Sequence, residues 1–247
     1  MKSRILTFIP DLRHKLWGIE DWLISAPGLP ILVKILEAKY SLSIQVHPNE
    51  TTRLASGGDA KTEMWFALSD GVVYAGLRPG TTAADLEAAV KEGSLADLLV
   101  RHDLKTGDIL FVPGGLVHAV GAATRLYEVQ QPSDTTFRLF DWGRVGEDGR
   151  PRELHVAKAL AAIDYSLPPP QKVKSVESPF FSFRPVKLDG SVKLDGSGYT
   201  ALYAFRRSFT LGGIIYPEGS SVLVRPGDPF EISGSSSEVL VTEAPSL

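Results

Sequence analysis

The sequence contains no cysteine, which excludes disulfide bonds and thiolate metal ligands. A bound metal would therefore need histidine, carboxylate or amide oxygen as ligands. No apolar run approaches the roughly 20 residues that a membrane-spanning helix requires, so we expect no membrane partner. The first ten residues are too short and too polar for a signal peptide. Together with the absence of cysteine, they favour a cytoplasmic location.

The chain also lacks a large excess of charge of either sign. The formal net charge of the 247 residues is −3, with acidic and basic residues intermixed, so nothing indicates a nucleic-acid partner. Hydrophobic residues make up 43% of the chain, enough for a sizeable core in one or two domains.

Histidine is rare, and its positions limit where a metal could bind. The chain has five histidines, and none follows His155. A C-terminal domain could therefore not build a histidine metal site, whereas the first two thirds of the chain could.

The distribution of turn residues predicts a mainly β protein. The 23 glycines and 17 prolines are spread along the chain and separate short apolar runs. Strands are predicted at residues 31–38, 42–46, 108–112, 117–121, 125–131 and 135–140, and again in short runs after about residue 178. A hairpin over Ser69-Asp70 is predicted to join strands at residues 64–68 and 71–77.

A small helical insertion interrupts this pattern at about residues 81–103. Its first helix is predicted between a Thr82 cap and Gly93, with a second at residues 95–100. Residues 153–163 are also helix-like, and the proline-rich segment 166–171 is the best linker candidate. We therefore expect a first domain at residues 1–165 and a smaller β-barrel-like second domain at residues 172–247.

The segment from Gly107 to His118 is the most informative pattern in the chain. A strand-like apolar run ends in a Pro-Gly-Gly turn and is followed by a histidine. About 70 residues earlier, Gln45 and His47 are spaced to project from the same face of a strand. With Glu63 nearby, these side chains could hold one divalent metal inside a β-barrel. Zinc accepts such nitrogen and oxygen ligands, but other divalent metals are also possible.

Three further charged residues lie in or beside predicted strands. Lys61 is two residues before Glu63, so both side chains would enter the same cavity if the segment is extended. A turn centred on Ser133 would place Glu128 opposite Arg138. On a solvent face this pair would be a weak ion pair, whereas inside a barrel it would be costly to bury and therefore functional.

Four segments together resemble the type I mannose-6-phosphate isomerases, in their short bacterial form, within the cupin superfamily. The segments are residues 42–50, 61–65, 107–121 and 127–144. The N-terminal region is shorter than is usual in this family, so we expect the rim of the pocket to differ. The resemblance implies two jelly-roll barrels, the second without metal.

The resemblance also implies roles for particular residues. The implied ligands of one zinc ion per chain are Gln45, His47, Glu63 and His118. The implied active-site cations are Lys61 and Arg138, and the acid–base candidates are Glu128 and Asp134. The implied reaction interconverts mannose 6-phosphate and fructose 6-phosphate by proton transfer through a cis-enediol.

Three other functions are compatible with parts of the pattern. The chain could be another cupin enzyme, either a metal dioxygenase or an isomerase of a different sugar phosphate. It could be a non-catalytic sugar-phosphate-binding protein that kept the pocket, or a purely structural β-protein. The sequence leaves the oligomeric state open.

Overall fold

A computed structural model describes residues 4–146 and 149–246. The chain divides into two compact units. The first comprises Met1–Asp11, Trp22–Lys34 and Lys174–Leu247, and the second comprises Leu12–Asp21 and Ile35–Val173. All the candidate site residues belong to the second unit. The two domains expected from the sequence, residues 1–165 and 172–247, stay a prediction.

Up to residue 173 the described chain is mostly strands, with short helices between some of them. The strands are β1 (Ile5–Leu6), β2 (Asp11–Lys15), β3 (Gly18–Ile24), β4 (Leu32–Ala38), β5 (Ile44–Val46), β6 (Glu63–Ala67), β7 (Gly71–Leu77), β8 (Leu99–Leu104), β9 (Ile109–Val112), β10 (His118–Val120), β11 (Thr124–Gln130), β12 (Phe137–Phe140) and β13 (Lys172–Val173). The helices are α1 (Arg53–Ser56), α2 (Ala83–Glu92) and α3 (Val156–Ala162), with a 3-10 turn at Leu95–Leu98.

Two sheets supply the framework of the site. One has the strand order β12-β5-β10-β7-β8, and the other has the order β13-β9-β6-β11-β4-β3-β2. Side chains from both sheets share one buried apolar cluster, which includes Ala75 on β7 and Leu110 on β9. The five residues of β6 are all buried, because this strand lies between β9 and β11. The prediction of a mainly β fold with a small helical insertion is confirmed.

The helical insertion follows the local signals in the sequence. The Thr82 side chain accepts from the Asp85 backbone N–H, and Asp85 in turn accepts from the Thr82 backbone N–H, which forms a capping box at the start of α2. Gly93 ends the helix with a left-handed φ of 76°. The second helix predicted at residues 95–100 is only the 3-10 turn, since Leu99 already begins β8.

The hairpin predicted over Ser69-Asp70 is wrong. Strand β6 pairs with β9 and β11, whereas β7 pairs with β8 and β10 in the other sheet. The connection therefore crosses between sheets. At this crossing the Asp70 carboxylate accepts hydrogen bonds from the Lys105 ammonium at 2.8 Å and the Thr106 backbone N–H at 3.0 Å.

The other unit contains an eight-stranded sheet with its own apolar core. The strands that complete the chain are β14 (Val176–Glu177), β15 (Ser182–Leu194), β16 (Tyr199–Arg206), β17 (Phe209–Leu211), β18 (Ile214–Tyr216), β19 (Ser221–Val224) and β20 (Phe230–Ala244). Across residues 4–146 and 149–246, none of the helices has the length and apolar character needed to cross a membrane.

Candidate metal centre

Three candidate side chains form a row across the five-stranded sheet. His118 on β10 pairs with Gln45 on β5, and Gln45 pairs on its other side with Arg138 on β12. Directly opposite residues in an antiparallel sheet share a face. The row therefore has the His118 imidazole, a candidate metal ligand, at one end and the Arg138 guanidinium at the other.

Glu63 reaches this row from β6 in the other sheet. Its Oε2 lies 3.5 Å from His47 Nε2, and its Oε1 lies 3.4 Å from His118 Nε2. All three side chains are buried, and their donor atoms lie within 4.8 Å of one another. They are the one such group of histidine and acidic side chains found among the described residues.

Backbone carbonyls orient both imidazoles toward Glu63. His47 Nδ1 lies 2.7 Å from the Thr135 carbonyl oxygen, and His118 Nδ1 lies 2.9 Å from the Leu116 carbonyl oxygen. A carbonyl only accepts, so each Nδ1 carries a proton, and in the neutral ring Nε2 then presents a lone pair. This is the arrangement in which histidine binds a metal through Nε2 while a backbone partner holds the ring.

The Pro-Gly-Gly turn explains why the two histidines meet. The Gly115 backbone N–H donates to the His47 carbonyl oxygen at 2.6 Å, which ties the end of β5 to the entry of β10. Gly115 has a φ of 91°, and a Cβ on Gly114 would lie 2.5 Å from the Pro48 carbonyl oxygen. Both positions therefore require glycine.

The charge state of the group suits a metal. Burial lowers the pKa of His118, although the charge of Glu63 opposes this effect, so the imidazole is held neutral. A metal needs that neutral form. The neutral His118 imidazole, His47 Nε2 and one carboxylate have converging donor atoms that fit a divalent ion, and zinc is one metal that such a set binds.

Gln45 lies beside this group with its amide nitrogen toward it. Its Nε2 lies 3.3 Å from His118 Nε2, while its Oε1 accepts from the Ser43 hydroxyl at 3.1 Å. Coordination through Oε1 would require the amide to rotate by half a turn. Its role as a fourth ligand stays a prediction.

Lys61 enters the same cavity, on the same side of the chain as Glu63. Its Nζ lies 3.0 Å from Glu63 Oε2 and 3.1 Å from His47 Nε2, and the side chain is buried. A buried ammonium at this position adds positive charge directly beside the candidate metal ligands.

Glu128 is also buried, and its carboxylate is hydrogen-bonded to Trp65, a residue that was not predicted from the sequence to belong to the site. Trp65 donates its indole N–H to Glu128 Oε2 at 3.0 Å, and its ring meets that of His118 edge-on with centroids 5.4 Å apart. Trp65 is two residues after Glu63, so the two-residue period of a strand could have indicated that it faces the same cavity.

The predicted pairing of Glu128 with Arg138 is wrong. Glu128 pairs with Trp65 on β6, whereas Arg138 pairs with Gln45 on β5. The segment between β11 and β12 thus changes sheet instead of forming a hairpin over Ser133. Arg138 donates from Nη1 to the Glu153 carbonyl oxygen at 2.9 Å.

A cluster of arginines adjoins Arg138, and its other members were not among the site residues predicted from the sequence. Arg152 Nε donates to Asp141 Oδ2 at 2.7 Å, and Arg144 donates to Asp141 Oδ1. Burial and then the charge of Arg152 lower the pKa of Arg138, which places these guanidinium groups within electrostatic range of one another. Asp134 lies apart from the buried group, because its side chain is exposed on the loop between β11 and β12.

Comparison with known proteins identifies relatives, although no family model matches the chain. The "Probable mannose-6-phosphate isomerase GmuF" of Bacillus subtilis (strain 168) is 30% identical over 230 residues. That alignment covers 85% of this chain and 69% of the relative.

Solved structures share the fold. The mannose 6-phosphate isomerase from Bacillus subtilis has a TM-score of 0.84 at 20% identity, covering 98% of this chain and 100% of that one. A mannose 6-phosphate isomerase bound with zinc and yttrium has a TM-score of 0.66 at 18% identity, covering 88% of this chain and 80% of that one. By sequence similarity over most of its length, the chain belongs to the mannose-6-phosphate isomerase family.

Proposed function

We propose that this protein is a metal-dependent aldose–ketose isomerase that interconverts mannose 6-phosphate and fructose 6-phosphate. The observation that carries the proposal is the buried convergence of His47, Glu63 and His118, with the Lys61 ammonium against them. The named activity of the relatives supports the choice of substrate. The reaction moves a proton between C2 and C1 through a cis-enediol, while a second proton moves between the two oxygens.

The proposed metal is one zinc ion per chain, held by His47, Glu63 and His118, with Gln45 as a further ligand. The zinc reported for a structural neighbour supports this choice, as does the donor chemistry of the group. When bound, zinc supplies Lewis-acid polarisation of the substrate oxygen on C1 or C2.

The chain's own residues carry out the proton transfer. Glu128 is buried beside the cavity and fixed by Trp65, so we assign it the proton transfer between the carbons. Asp134 is the alternative, but it would have to approach from its exposed loop. Lys61 faces the centre and is placed to stabilise negative charge that develops on the enediolate oxygens.

The arginines are placed to hold the phosphate. Arg138 lies at the opposite end of the row from His118, and Arg144 and Arg152 pair with one nearby carboxylate, that of Asp141. A phosphate dianion suits such a guanidinium cluster because each group offers a planar fork of donors. The substrate would then span the site from the metal centre to this cluster.

A coupled assay tests the proposal. Purified protein loaded with zinc should form fructose 6-phosphate from mannose 6-phosphate, lose this activity on chelation and regain it when zinc is restored. Metal content measured in parallel should be one ion per chain. No turnover by protein that holds the metal would contradict the substrate assignment. We further propose a cytoplasmic location and the two-domain division at residues 1–165 and 172–247.

A further inference from the structure

Gln130 is a buried polar residue beside the candidate metal centre that the proposed mechanism does not use. It pairs with Glu63 across the β11–β6 ladder, and the residue is 1% exposed. Directly opposite residues share a face, so Gln130 leaves β11 toward the side on which Glu63 meets the two histidines.

The orientation of the Gln130 amide is fixed by its partners. Its Nε2 donates to the Gln131 carbonyl oxygen at 2.9 Å and to the Ser133 carbonyl oxygen at 2.8 Å. Both partners only accept, so the two amide hydrogens are used and the assignment of nitrogen and oxygen follows from the network.

With the amide held in this orientation, its oxygen is a buried acceptor that lacks a donor among the described residues. Gln130 Oε1 is fully buried and has no hydrogen-bond partner among residues 4–146 and 149–246. Glu63, the residue opposite, supplies only carboxylate oxygens and cannot donate when ionised. Leaving a buried acceptor without a donor is unfavourable, so a site with such a group is suited to a ligand that brings a donor.

We propose that Gln130 Oε1 accepts a hydrogen bond from a hydroxyl of the sugar substrate. This inference rests on the proposed function, which brings a polyhydroxylated ligand to the metal centre. A hydroxyl can donate to Gln130 while its oxygen still accepts from another group. Gln130 is then a binding residue that helps to recognise the hydroxyl pattern of the substrate, and its amide is held ready by the loop that follows β11.

The test compares ligand affinities of zinc-loaded wild-type and variant protein, with mannitol 6-phosphate as the probe. This compound carries substrate-like hydroxyls but no carbonyl, so it cannot isomerise. Calorimetric titration compares it with its single-deoxy analogues, using the wild type and Gln130→Met. One deoxy position should weaken binding to the wild type by about 10- to 100-fold. In Gln130→Met that difference should nearly vanish, while discrimination at the other positions persists.

A second variant keeps the experiment decisive if Gln130→Met folds poorly. Gln130→Asn keeps an amide that can still donate to a carbonyl of the loop, but its acceptor oxygen is drawn back by one methylene, so it should also lose the discrimination at the same deoxy position. Equal discrimination by the wild type and Gln130→Met at every position would overturn the Gln130 inference alone. A wild type that neither binds mannitol 6-phosphate nor turns over mannose 6-phosphate would overturn the proposed function and the inference with it.

Discussion

Trp65 and Glu128 face each other across β6 and β11, and the indole N–H donates to the carboxylate at 3.0 Å. Both side chains are buried. A hydrogen bond to a buried carboxylate fixes the direction in which it points. Trp65 is therefore a positioning residue for the candidate proton-transfer group.

Replacing Trp65 by Phe should lower kcat about 10-fold or more, because a hydrogen bond to a buried charged group is lost. Zinc content should stay at that of the wild type, since no candidate ligand is changed. Steady-state kinetics with metal analysis measures both quantities. Trp17→Phe makes the same change in the same apolar cluster and should leave kcat unchanged. An unchanged kcat in Trp65→Phe would contradict the assigned role of Glu128.

Replacing Lys61 by Met should lower kcat by about 100- to 1,000-fold, because it removes the positive charge placed to stabilise the enediolate oxygens. Met has a similar length and suits the buried position, so the protein should fold and retain zinc. Metal analysis and kinetics separate the two effects. The matched control is Lys105→Met, which removes a lysine whose side chain is 77% exposed and pairs with Asp70. Full activity in Lys61→Met would show that this ammonium takes no part in the reaction.

Replacing Asp141 by Asn should destabilise the fold by about 1–3 kcal/mol at pH 7, because two arginines lose a largely buried partner. Burial alone would raise the pKa of Asp141, but hydrogen bonds and charge from Arg152 and Arg144 outweigh it, so the pKa is lowered on balance. The stability that ionised Asp141 contributes is therefore fully present above the ordinary carboxyl pKa of about 3.9. It is lost as the pH falls through the lower pKa of Asp141 in the folded protein.

Urea unfolding at pH 7, 5 and 3 tests this dependence on Asp141. The difference between the wild type and Asp141→Asn should be similar at pH 7 and 5 and smaller at pH 3. Asp103→Asn is the control, because it removes an exposed carboxylate paired with Arg101 and should have no measurable effect. A difference that grows toward pH 3 would contradict the assigned ion pairs.

Replacing Gly115 by Ala should destabilise the fold by about 2–4 kcal/mol and reduce zinc binding. Its φ is 91°, and an added Cβ would lie 2.7 Å from the Asp164 Cβ, so the turn that ties His47 to β10 must shift. Gly107→Ala is the matched control, since its φ is 95° with open space around the added Cβ, and should cost only about 1–2 kcal/mol. Equal losses of stability and zinc in the two variants would rule out the steric effect.

Local patterns in the sequence account for much of the structure. The capping residue Thr82 and the terminal Gly93 mark the ends of α2, and the strand from Ile109 to Val112 was predicted to within one residue. These features depend on residues close together in the chain, where hydrogen bonds and backbone preferences act directly. The two-residue period likewise placed Lys61 and Glu63 in one cavity.

The sequence by itself determined which residue types could form a metal centre. With cysteine absent and histidine scarce, the donors had to come from a few positions such as His47 and His118. Only the tertiary structure decided which strands are neighbours, and hence that Glu128 faces Trp65 and Arg138 faces Gln45. The physical reason is that the period of a strand fixes the face of each side chain, whereas strand pairing depends on long-range burial and on how each connection crosses between sheets.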